Sequence, residues 1–280
     1  MMTILITGAS GGVGLDLMKQ LGAEGHAVRA MSRRPLIVDL PDTVENVIGD
    51  PTDAGSLKGA LEGVDAVFVN SVFLNDIETA GKVADVVGRS PVERAVLLSS
   101  SCIFTRHELV FANFLRDVMD EFRSIFPNLV SVHPGQFASN ALRWRDMVKE
   151  GVVRHPFGDV GVPIIDPYDI AAVVKLCLIE DRFQGERIEI TGSDCISPRE
   201  MVKGISDMLG SEIRYVEISA AQARENLSRG MSPDRLDYFL AMSGSPKPEE
   251  QRVLPTVENL TGERPRSFTT WLAANIDSFR

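Results

Sequence analysis

Hydrophobic and polar positions change period repeatedly along the chain, and the changes mark out its elements. Thr3-Ile4-Leu5-Ile6-Thr7 carries no charge and four of its five residues are β-branched, the composition of a strand buried on both faces of a parallel sheet. Gly8, Gly11 and Gly14 follow three apart, and from Val13 to Leu21 apolar residues recur at helical spacing. Further strands are predicted over His26–Met31, Val44–Ile48, Asp65–Asn70, Glu93–Leu98 and Leu129–Val132. Helices are predicted between them, to about Gly25, from Asp53 to about Glu62, and from Ile77 to Val87. Phe111, Phe114, Phe122 and Phe126 also recur at helical spacing and read mostly as core.

This alternation predicts an α/β protein with a doubly wound parallel sheet, a Rossmann fold. Beyond it come a strand at Arg187–Gly192 and a helix opened by Ser197-Pro198-Arg199-Glu200. A strand at Arg214–Ile218 and a helix from Ala220 to Arg229 follow. Residues 231–255 hold several prolines and little strand pattern, so helices and loops forming a lid are expected there. Residues 1–155 should be mainly the sheet core. Residues 156–280 should be a smaller C-terminal substrate and lid lobe, with some segments returning to the core.

Charge and composition narrow the function. A length of 280 residues with 44% apolar composition supports a large core, and a net charge of −10 argues against a nucleic-acid or anionic-membrane partner. No apolar run approaches the roughly 18 residues of a membrane span, and with a core strand opening the sequence no targeting signal is expected. Cys102, Cys177 and Cys195 are too few and too scattered for a disulfide framework or a metal site. A cytoplasmic protein, monomer or dimer, is expected.

Strand, glycine turn and helix in that order form a dinucleotide phosphate site. The missing side chains let a pyrophosphate approach the backbone, and the free N–H groups of the helix N-terminus face it. Thr7, Gly8, Ser10, Gly11, Gly12 and Val13 are the expected contacts. At the end of the second strand, where a carboxylate would hold the ribose hydroxyl of NAD, the chain has Ser32-Arg33-Arg34. Guanidinium pairs bidentately with phosphate, so NADPH is the expected cofactor.

The spacing G-x-x-G-x-x-G and the opening TILITGASGGVG resemble the NmrA-like, atypical branch of the short-chain dehydrogenase/reductases. Further stretches are similar to that family. They are Gly49-Asp50-Pro51-Thr52-Asp53, His133-Pro134-Gly135-Gln136-Phe137 through Asn140, Ile165-Asp166 through Val173, and Thr261 through Trp271. The resemblance implies that Asp50 contacts adenine, that Asn70 and Ser71 lie by the nicotinamide ribose, and that His133 and Gly135 belong to the segment closing over the nicotinamide. Asp53 and Asp166 read as helix caps.

Reductases of that family usually place a tyrosine and a lysine four residues apart to protonate the product alkoxide. Here Tyr168, Tyr215 and Tyr238 are followed four residues on by Ala172, Ser219 and Met242, so no such pair exists. Ser101 resembles the serine that hydrogen-bonds a substrate carbonyl and is the expected catalytic residue. Phe104, His107, Gln136, Asn140 and Trp144 are expected to border the substrate. Three readings stay open. One is an NADPH-dependent reductase of a polycyclic aromatic ketone with substrate-assisted protonation. The others are a quinone or azo reductase, and a non-catalytic NADP(H) sensor that binds a partner protein.

Overall fold

The computed structural model describes residues 1–280 apart from the side chain of Val72. In chain order the elements are β1 (Thr3–Thr7), α1 (Gly12–Ala23), β2 (Ala27–Ser32), β3 (Val44–Ile48), α2 (Ala54–Ala60), β4 (Ala66–Asn70), α3 (Ile77–Gly88), β5 (Arg94–Leu98), α4 (Cys102–Thr105), α5 (Val110–Ile125) and β6 (Val130–Pro134). There follow β7 (Gln136–Phe137), α6 (Arg145–Lys149), β8 (Val152–His155), β9 (Val162–Ile165), α7 (Pro167–Ile179), β10 (Arg187–Ile190), β11 (Cys195–Ile196), α8 (Pro198–Leu209), β12 (Arg214–Glu217), α9 (Ala220–Leu227), α10 (Pro233–Gly244), α11 (Thr256–Thr261) and α12 (Phe268–Asn275).

Two compact units share these elements. The first comprises Met1–Ser100, Asn113–His133 and Pro167–Glu189. Its seven-stranded sheet has the order β10-β6-β5-β4-β1-β2-β3, and β1 through β6 pair in parallel. This is the doubly wound Rossmann order, and it reverses direction between β1 and β4, the switch point where ligands bind. Ile4, Leu5, Ile6, Val67, Phe68 and Val96 are fully buried, as the uncharged strands require. Asp53 caps α2 by accepting the Ser56 N–H at 2.7 Å, as the sequence pattern predicts.

The second unit comprises Ser101–Ala112, Pro134–Asp166 and Ile190–Arg280. The chain therefore crosses between units several times, and α7 and most of β10 belong to the first unit. Small sheets β11-β9-β7 and β12-β8 pack with helices around Trp144, Met201, Ile205, Trp271 and Leu272. The Ser197–Glu200 capping box forms, with Pro198 in the first turn and Gly210 closing α8 in the left-handed region at φ 64°. Among the described residues no helix is long and apolar enough to cross a membrane.

Candidate active site

The glycine turn occupies the carboxyl end of β1. Gly8 takes φ +70°, a conformation an L side chain rarely adopts. Gly14 packs so closely that a Cβ would lie 2.5 Å from the Gly8 carbonyl oxygen and 2.8 Å from the Ala9 Cα. Gly11 is different: a Cβ there would meet only the Gly8 oxygen, at 3.4 Å. Ser10, Gly11 and Gly12 are exposed, and no side chain caps α1 or adds an acid to its first turn. Uncapped N–H groups and an open glycine surface fit a pyrophosphate.

The neighbouring strand ends complete this crevice. Thr7 Oγ1 donates to the Phe68 carbonyl at 2.9 Å and accepts the Asn70 N–H at 3.1 Å, so this hydroxyl ties β1 to β4. The Asn70 side chain lies against Gly8, and Ser71 is buried just beyond it. The Ala9 N–H donates to the Met31 carbonyl at 3.2 Å and brings β2 to the turn. Buried Ser32 donates to the Arg34 carbonyl at 2.6 Å, while Asn46 donates to the Ala30 carbonyl and to Ser32 Oγ. This base holds a loop from which Arg33 and Arg34 project into solvent. Asp50 Oδ1 accepts from the Thr52 N–H and hydroxyl at 2.9 and 2.7 Å, which orders its loop.

His133 is wholly buried. Its Nε2 lies 2.8 Å from Ser131 Oγ and its Nδ1 3.4 Å from the Ser100 carbonyl, and burial pushes its pKa down to about 4. The ring presents no surface to a ligand, so a ribose contact would require these bonds to open.

In the second unit, Ser101 heads α4, is 6% exposed and makes no side-chain cap bond. Its N–H donates to the Pro134 carbonyl at 3.1 Å, and the Gly135 N–H donates to the Ile190 carbonyl at 3.0 Å. Directly after them Gln136, with Phe137, Asn140 and Trp144, lines a cavity of about 260 Å³. Asn140 Nδ2 donates to Gln136 Oε1 at 3.2 Å. His155 stands on the same wall, edge-on to Trp144 and Phe239 at ring separations of 5.1 and 5.7 Å. Its Nδ1 is 2.9 Å from the Pro156 carbonyl, so that nitrogen carries the proton. Burial, with the Arg143 charge adding to it, lowers the His155 pKa to about 4.

Residues 8–126 match the NAD(P)H-binding family model. Over 99% of its length the chain is 33% identical to the (4-alkanoyl-5-oxo-2,5-dihydrofuran-3-yl)methyl phosphate reductase of Streptomyces griseus, and covers 99% of that protein. The chain belongs to the same NAD(P)H-binding family as that reductase. Another family relative, the NAD(P)H azoreductase of Xenophilus azovorans, is 24% identical, with 99% of each chain covered. Among solved structures, an Escherichia coli NADPH-dependent quinone oxidoreductase complexed with NADPH shares the fold at TM-score 0.77 and 21% identity. The match covers 97% of this chain and 99% of that one. The regulator NmrA in complex with NADP shares it at TM-score 0.71 and 19% identity, covering 96% and 94%.

The structure gathers Gln136, Asn140 and Trp144 on one cavity wall. Phe104 and the exposed His107 are not part of that wall. Arg143, His155 and Phe239 are lining residues that sequence reasoning passes over, because none belongs to a motif or a period. The tyrosines serve elsewhere: Tyr215 donates to the His155 carbonyl at 2.8 Å, and the Tyr238 ring lies 5.1 Å from that of Phe111.

Proposed function

We propose that the protein is an NADPH-dependent reductase of a conjugated carbonyl compound. The observation that supports this reading is the acid–base character of the cavity wall. Among the lining residues there is no tyrosine, lysine, carboxylate or cysteine, and His155 is neutral with its one N–H already engaged. An isolated ketone reduced to an alkoxide needs an acid at hand. A conjugated acceptor does not. A C–H bond forms at the far end of the double bond, and the displaced π pair moves onto the carbonyl oxygen. Water then protonates the carbon beside the carbonyl. When bound, NADPH supplies the hydride.

Ser101 would donate its hydroxyl to the oxygen on which charge gathers, and its freedom from capping duty supports that role. The Streptomyces relative acts, by its name, on a dihydrofuranone whose ring double bond is conjugated with carbonyls. An aryl ketone beside a phenol satisfies the same requirement by an internal proton. Arg33 and Arg34 favour NADPH over NADH.

Absorbance of NADPH, followed with an alkanoyl dihydrofuranone, a quinone, a hydroxyaryl ketone and its methyl ether, tests the reading. Conjugated acceptors should consume NADPH, the methyl ether should react more slowly than its parent, and a simple dialkyl ketone should be inert. Ser101→Ala should lower kcat/KM roughly 10²-fold without abolishing turnover. Tight NADPH binding with no acceptor reduced would instead establish the sensor.

A further inference from the structure

The cavity of the second unit is lined mainly by apolar residues, and its charges are of one sign. Arg143 and Arg154 stand on its wall, and no aspartate or glutamate does. Yet the chain has 39 acidic residues against 29 lysines and arginines. Chance would put carboxylates there first.

The two arginines differ. Arg154 Nη1 lies 4.0 Å from Glu150 Oε2, so part of its charge is met within the protein. Arg143, near the end of the turn Ala138–Trp144, has neither an ion-pair partner nor a hydrogen-bond acceptor among the described residues. It lines the cavity and is exposed to solvent, which puts it at the mouth, and partial burial lowers its pKa. A guanidinium carries five N–H donors in a planar fork that matches an oxyanion. With no acceptor from the protein, only water meets that fork, and a ligand anion could replace the water with charge-assisted hydrogen bonds.

We propose that this cavity takes a molecule that is apolar over most of its surface and bears an oxyanion, with Arg143 pairing that oxyanion at the mouth. The inference rests on the reductase reading only in taking this molecule to be the acceptor. Asn140 and Gln136, bonded to each other, offer neutral polar contacts on the same cavity wall. Neutral His155 adds no competing charge.

Calorimetry with naphthyl phosphate, naphthoate and naphthol, on full-length protein saturated with NADP⁺, tests the proposal. Saturation blocks the basic loop and the glycine turn as alternative anion sites. Wild-type protein should bind one or both anions roughly tenfold or more tightly than naphthol, with the advantage shrinking as salt is added. A preference for the phosphate over the carboxylate, or the reverse, identifies which oxyanion the site reads. Arg143→Gln should bring the anions down to the naphthol affinity while leaving naphthol unchanged. Arg143→Lys should keep part of the preference. Equal binding of all three probes, or a preference that survives Arg143→Gln, overturns the proposal. Failure to bind NADP⁺ would undo the reductase reading, whereas the comparison of Arg143 variants would still decide this one.

Discussion

Arg106 and Glu250 form a buried bidentate ion pair. Arg106 Nε donates to Glu250 Oε1 at 2.7 Å and Nη2 to Oε2 at 2.6 Å, with the two side chains 7% and 2% exposed. Thr105 Oγ1 also donates to Glu250 Oε1, and Arg106 Nη2 donates to the Ser245 carbonyl at 2.6 Å. Burial works against the Arg106 charge, but the Glu250 carboxylate outweighs it and raises the pKa. The pair joins the helix headed by Ser101 to the segment after α10, which supplies Phe239 and Ser243 to the cavity wall.

Breaking the pair from one side strands a buried charge. Glu250→Ala should therefore destabilise the protein by about 3–5 kcal/mol, whereas Arg106→Met combined with Glu250→Leu should cost much less than the sum of the single changes. Denaturant melts of the two single variants and the double variant supply the comparison. Additive losses would show that the two side chains act independently.

His133 and His155 make stability depend on pH. Burial lowers each from 6.5 to about 4, so both are neutral in the folded protein where the unfolded chain begins to take up protons. The unfolded state binds more protons as pH falls through 6.5 toward 4, so stability should fall over that window, by about 1.4 kcal/mol per pH unit for each histidine. Melting curves between neutral and acid pH should show this slope, and His133→Gln should flatten it. An unchanged slope in that variant would place the titrating groups elsewhere.

Gly11 and Gly14 should separate binding from folding. Gly11 has φ −83° and a Cβ there would make only a van der Waals contact with the Gly8 oxygen, so Gly11→Val should leave the melting temperature near normal and abolish dinucleotide binding. Gly14→Ala drives a methyl into the backbone at Gly8 and should destabilise the free protein. Retained NADPH affinity in Gly11→Val would remove the turn from the phosphate site.

The exposed arginines after β2 address only the extra phosphate of NADPH. Replacing Arg33 and Arg34 by alanine should weaken NADPH roughly tenfold or more and change NADH little. Equal loss of both cofactors would contradict the assignment.

The first unit was legible in the sequence because its determinants are local. A β-branched run, glycines three apart and caps such as Asp53 act within a few residues of where they stand, and the arginines follow a strand end. The cavity was legible only at Gln136 and Asn140, through the stretch that resembles the family's, and at Trp144 just beyond it. The rest of its wall comes mostly from α6, β8, β9, β11, α8, α9 and α10, brought together by tertiary packing. His107 lies close to Ser101 in sequence but is exposed and off the cavity wall. Glu250 meets Arg106 across a separation of 144 residues, which no local pattern reveals.

The central claim is hydride transfer to a conjugated carbonyl compound, and isotope transfer tests it most directly. The protein is incubated with an alkanoyl dihydrofuranone and NADPH deuterated at the transferable position, and the product is examined by mass spectrometry and NMR. Hydride transfer to a conjugated acceptor should leave a single deuterium on the carbon at the far end of the former double bond, with the adjacent hydrogen drawn from solvent. Deuterium on the carbonyl carbon would mean direct ketone reduction, and an unlabelled, unreduced substrate beside tightly bound NADPH would contradict the enzyme altogether.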